Sequence, residues 1–172
     1  MATPIQDPRE LFVHQLRTML WVELTLADDV LPELFELVHS THLKWAVERH
    51  LLETQDHVKN LRRVLVHLEE PADPEQTPAL VALKQEHDTL LKSIPEGDQA
   101  LRDIVHCDAI ARTEHYELAA YSGLVHLGKA LGIDHELVTA LRENMEQESH
   151  ALEQVEHGLA ELLAAQVENA DR

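Results

Sequence analysis

A chain of 172 residues with 32 acidic and 14 basic side chains, a net charge of −18, has no basic surface for nucleic acid and is repelled by an anionic membrane. Hydrophobic residues make up 44% but aromatics only 3%, which favours helices over sheet. The single cysteine, Cys107, excludes an internal disulfide framework and reads as a small core residue, and neither a signal peptide nor an 18-residue apolar run is present.

These features predict one cytoplasmic, all-α domain over residues 1–172. Its first helix is expected from about residue 8 to 39. Asp7 caps it, Pro8 suits its first position and Glu10 completes a capping-box-like start. Val13, Leu16, Leu20, Glu23, Ala27, Val30, Leu34 and Leu37 recur at three- and four-residue steps, so Glu23 lies inside an apolar stripe. Pro32 is expected to kink this helix or free a carbonyl without ending it.

Ser40-Thr41 supplies a turn and a cap. The second helix, about 41–70, carries the stripe Leu43, Ala46, His50, Glu53, His57, Leu61, Val64 and Leu68, with three polar residues at consecutive seam positions. The proline-rich segment 71–78 is a linker, and a short amphipathic helix follows over 79–93. Its apolar face comprises Leu80, Leu83, Leu90 and Leu91.

The third long helix, about 98–128, has the stripe Leu101, Ile104, Cys107, Ala111, Glu114, Leu118, Tyr121 and Val125, with Glu117 on its flank. Gly132 ends it, and Asp134 can start the last helix, about 134–167. There Val138, Leu141, Met145, Glu148, Leu152, Val155, Leu159 and Leu162 form the seam, which turns Glu146 and His150 sideways.

Two tight hairpins joined by a long connection fit a four-helix bundle with one long crossover. They also fit an up-down bundle with the short helix packed on one end. Height decides whether the polar seam residues can meet. Glu23 lies about 17 residues before the first turn, and Glu53 and His57 about 13 and 17 after it. Glu117 and Glu114 lie about 15 and 18 residues before the second turn, and Glu148 about 16 after it. At roughly 1.5 Å per residue, these groups come to a similar depth. Such carboxylates, buried without cations, would cost several kcal/mol each. Metal ions relieve that cost, and carboxylate with imidazole suits iron or manganese.

The segments His50-Leu51-Leu52-Glu53-Thr54, Glu114-His115-Tyr116-Glu117-Leu118-Ala119-Ala120-Tyr121 and Leu131-Gly132 resemble the YciE/YciF-type stress proteins of the ferritin-like superfamily. The resemblance runs from about Leu11 to Leu163. It implies a ferritin-like four-helix bundle whose long crossover carries a short fifth helix. It also implies a homodimer, a dinuclear metal centre and a role under stress. The candidate ligands are Glu23, Glu53, His57, Glu114, Glu117 and Glu148, holding two ions, with iron first and manganese second. His50, Asp56, Glu146 and His150 are the residues that could replace one of these six. Ferritin-like sites pair Glu with His at i, i+3 on two helices. Here Glu53–His57 is spaced i, i+4, so a carboxylate-rich, asymmetric site is expected. The chemistry expected of such a centre is oxidation of ferrous iron or reduction of oxygen or peroxide. The competing reading is a non-catalytic helical dimer that serves as an interaction or structural module around a vestigial polar core.

Overall fold

The computed structural model describes residues 4–170, and every regular element among them is helical. Helix α1 (Pro8–Thr25) begins where the Asp7 carboxylate accepts from Glu10 N at 2.8 Å. It continues through a π-helical turn (Leu26–Val30) into α2 (Leu31–Leu37). Pro32 has no N–H to donate four residues back, and its ring crowds the carbonyl there. The chain answers by widening the preceding turn, with Leu31 N–H bonded to Leu26 O. The predicted kink is thus a π-turn, and the helix ends at Leu37, where Val38 becomes extended.

Ser40 Oγ accepts from Leu43 N and starts α3 (Thr41–His67). The buried Asp103 carboxylate accepts from His39 N and Ser40 N at 2.6–3.1 Å, which ties this turn to the start of α5. Helix α3 ends with Glu69 at φ 55 and Glu70 N bonded to Leu65 O, a left-handed stop made without glycine. Thr77 caps α4 (Pro78–Leu91), Asp98 caps α5 (Gln99–Ala130), and Gly132 at φ 69 turns the chain into α6 (His135–Ala170).

The crossover sets the topology. It leaves α3 beside the start of α1, where Arg9 and Arg17 both reach Glu70 and Glu75 N bonds to Arg17 O. It then ascends the bundle through α4 and delivers α5 to the opposite end, at His39 and Ser40. Helix α5 therefore descends against α1, from Tyr121 beside Glu23 to Gly128 beside Phe12. Helix α6 returns antiparallel to α3, pairing Arg63 with Glu136, Asn60 with Asn144, His57 with Gln147 and His42 with Gln154. Around the bundle the order is α1, α3, α6, α5. This is the ferritin-like arrangement, with one long crossover carrying a short helix.

Phe12, Leu16, Leu20, Leu61, Leu65, Leu124 and Leu141 are among the residues that fill one half of the core. Cys107 is buried in the core nearer the other end of the bundle, as expected of a small core residue. Among the described residues, no helix is long and apolar enough to cross a membrane.

Candidate metal centre

Midway along the bundle the apolar seam gives way to acids and imidazoles. Glu23 comes from α1, His50 and His57 from α3, Glu114 and Glu117 from α5, and Glu148 from α6. His50 is 4% exposed and the rest are at 1% or below. One donor atom from each of His50, Glu114, Glu117 and Glu148 lies within 4.8 Å of the others. Glu23, His57 and Glu148 form a second such group. Glu148 belongs to both: its Oε1 is 2.9 Å from His57 Nδ1, and its Oε2 is 3.7 Å from His50 Nε2. His50 Nε2 also lies 3.2 Å from Glu114 Oε1, and His57 Nδ1 3.3 Å from Glu23 Oε1.

These contacts are close but badly aligned for hydrogen bonding. Glu23 Oε2, both His50 nitrogens, His57 Nδ1, Glu114 Oε2 and all four carboxylate oxygens of Glu117 and Glu148 are buried with no hydrogen-bond partner. A few such orphans are normal in a whole protein, and a dense cluster of them marks a missing partner. The donor set fits a metal ion: carboxylate and imidazole lone pairs converge, and among the described residues the ion-pair contacts of these carboxylates are with His50 and His57.

The electrostatics agree. Burial, reinforced by the Glu148 charge, pushes the Glu114 and Glu117 carboxyls well above the usual range. Burial also raises Glu23, although His57 opposes it. For His57 burial works the other way, but Glu23 and Glu148 outweigh it and lift the imidazole to about 11. Burial lowers His50. Around the donors runs a fixed network. Tyr121 OH donates to Glu23 Oε1, Asn144 Nδ2 donates to Tyr121 OH at 3.1 Å, and Asn60 Nδ2 donates to Asn144 Oδ1 at 2.7 Å.

Five of the six residues singled out from the sequence meet here: Glu23, His57, Glu114, Glu117 and Glu148. Glu117, read as a flank residue, is fully buried. Glu53 lies outside both groups, where it accepts from Arg49 Nε at 3.0 Å. His50 takes the inward position instead. Counting about 100° per residue, Glu53 sits roughly 60° around the helix from His50, while His57 sits only about 20° away. Asp56 pairs with Lys59, and Glu146 with Arg142, on the surface. His150 Nε2 lies 3.0 Å from Arg49 Nη1, so it too stands outside the cluster. Gln147 and Asn144 went unnoticed because an amide beside a seam carries no sequence signal until its partner is known.

Fold and site together define a ferritin-like helical bundle with a buried histidine–carboxylate cluster that can hold a metal ion. The chain belongs to the family described as Domain of unknown function (DUF892), which matches residues 7–168. Membership agrees with the resemblance to YciE/YciF-type proteins read from the sequence. YcfI of Rhodopseudomonas palustris is 27% identical, with a TM-score of 0.84 over 91% of this chain and 97% of its own. The E. coli stress protein YciF has the same TM-score at 21% identity, over 93% of this chain and 99% of its own. A protein of Xanthomonas campestris pv. campestris, also 21% identical, gives 0.71 over 96% of this chain and 100% of its own. At 21% identity these last two likenesses speak for the fold alone. No curated protein sequence matches the chain.

Proposed function

We propose that this protein holds two metal ions in the middle of its bundle and uses them in redox chemistry under stress. His50, Glu114, Glu117 and Glu148 would hold one ion, and Glu23, His57 and Glu148 the other. The observation that carries this reading is Glu148, which is fully buried, shared by both groups and unpartnered at both oxygens. Charge supports the count: two divalent cations balance the four buried carboxylates. Iron, or manganese in its place, supplies reversible electron transfer suited to reducing oxygen or peroxide. In a ferrous-iron oxidase the iron would instead be the substrate.

The protein's own residues prepare the site. Tyr121 orients Glu23, and Asn144 and Asn60 orient Tyr121, so the carboxylate is held before any ion arrives. Gln147 fixes the His57 ring through Nε2 at 2.8 Å and leaves Nδ1 facing Glu23 and Glu148. The near-complete burial of the cluster keeps bulk water from competing for the donors. The resemblance to YciE/YciF-type stress proteins read from the sequence motifs supports the physiological setting. A homodimer completes the reading, on the strength of the family resemblance.

Metal analysis of protein purified without chelator tests this. Two equivalents of iron or manganese are expected, and Glu148→Gln should lose both, because it removes a ligand from each group. An absence of bound metal, with thermal stability unmoved by added ferrous or manganous ion, would sink the proposal.

A further inference from the structure

A cavity of about 130 Å³ lies between the π-turn, α2, α4 and α5. Leu26, Leu31, Leu34, Leu80, Leu83 and Ile110 are among its walls, and His50 and Glu114 of the metal centre also line it. Its origin is local. Helix α4 is the one helix outside the four-helix core, and of its residues only Leu80 is fully buried. Leu83, His87 and Leu91 follow Leu80 at i+3, i+7 and i+11 and stay half-buried over the space. The sequence marked this face as apolar, yet α4 does not seat it fully against the bundle.

Its size and chemistry select an occupant. The space opens to solvent at its rim and its walls are mostly apolar; a closed apolar cavity of about 150 Å³ in another protein takes up benzene, which sets the scale of molecule that fits. At the rim, Lys84 Nζ lies 3.6 Å from Glu33 Oε2 and 3.9 Å from Asp88 Oδ1. The one cation there already faces two carboxylates, so an anionic ligand meets net negative charge. A cationic ligand would have to leave water for leucine walls, which is costly. An uncharged molecule avoids both penalties.

We propose that this cavity binds a small, uncharged, apolar molecule of about the size of toluene and holds it against the His50–Glu114 side of the metal centre. The binding itself stands without a metal; the placement beside a loaded metal centre rests on the metal reading above.

Toluene and benzoate are the probes, titrated by NMR into the metal-free protein and into the manganese-loaded protein. Toluene should bind both forms, with benzoate at least tenfold weaker. Ala109→Phe, on the cavity wall, should weaken toluene at least tenfold while leaving metal content and melting temperature near wild type. Leu83→Trp, on half-buried α4, fills the same space from the other side should the first variant fold poorly. In the manganese-loaded protein, toluene protons should relax faster than in the metal-free form, and either filling variant should abolish the effect. The proposal is overturned if toluene binds neither form, if benzoate matches it, or if both filled variants bind as well as wild type. Toluene bound without enhanced relaxation in protein shown to contain manganese overturns the placement. Metal content, measured on the same samples, reports separately on the metal reading.

Discussion

His57 Nδ1 lies 2.9 Å from Glu148 Oε1, and Nε2 of the same ring lies 2.8 Å from Gln147 Oε1, so consecutive residues of α6 set an oxygen beside each nitrogen. Nδ1 is not aligned for a hydrogen bond, but the Glu23 and Glu148 carboxylates beside it favour the charged ring. In the metal-free protein the imidazolium form of His57 is therefore favoured.

The sign of the pH dependence follows. Burial disfavours the charge on His57, but Glu23 and Glu148 raise it from 6.5 to about 11. Its contribution to stability is complete below 6.5 and is lost as pH rises towards 11. The raised carboxyls of Glu114 and Glu117 act in the same direction. Thermal unfolding of the metal-free protein should show the melting temperature falling by about 5–10 °C from pH 7 to pH 9. With saturating manganese the gain in melting temperature should instead grow with pH, because coordination must displace these protons. A metal-free protein equally stable at both pH values would contradict this assignment.

Glu53 and His50 exchange the roles that spacing alone suggests. Glu53 is held by Arg49 outside both donor groups, whereas His50 faces Glu114 and Glu148. His50→Ala should lower metal affinity at least tenfold, and Glu53→Gln less than threefold, in competition with a chelating dye. A larger loss in Glu53→Gln would mean that the carboxylate leaves Arg49 to join the metals.

On the far side of the cavity, His106 Nδ1 lies 3.0 Å from His87 Nε2. Burial, together with His87, lowers His106 to about 4. A histidine whose folded value lies below its unfolded value contributes fully above pH 6.5 and less as pH falls towards 4. From pH 7.5 to pH 5 this should cost about 2 kcal/mol in urea unfolding. His106→Phe should remove most of that slope, and an unchanged slope would show that other groups set it.

Two left-handed helix stops give a matched pair. Gly132 has φ 69 and Glu69 has φ 55. Glu69→Gly should stabilise the protein by about 1 kcal/mol, and Gly132→Ala should destabilise it by a similar amount, because only glycine lacks the Cβ that crowds the neighbouring carbonyl. Equal and unchanged denaturation midpoints in both variants would count against this account.

The helices and their turns were legible in the chain because each long helix repeats its apolar residues at the helical period, and Asp7, Ser40 and Gly132 punctuate the ends. The depth of Glu23, Glu114 and Glu148 was legible too, because helical rise is constant and both hairpin turns are short. Rotation about the helix axis was not. Glu53 and His50 lie one turn apart on α3, and a difference of about 60° decides which faces the centre. That angle is set when α3 packs between α1 and α6, through contacts such as Asn60–Asn144 and His57–Gln147 that join residues 84 and 90 positions apart. The cavity beside His50 and Glu114 likewise depends on how far α4 stands from the bundle. Sequence periodicity thus determined which broad stripe of each helix faces the core and at what height its residues lie, and tertiary packing alone decided which of them turn inward to share a centre and what space is left beside it.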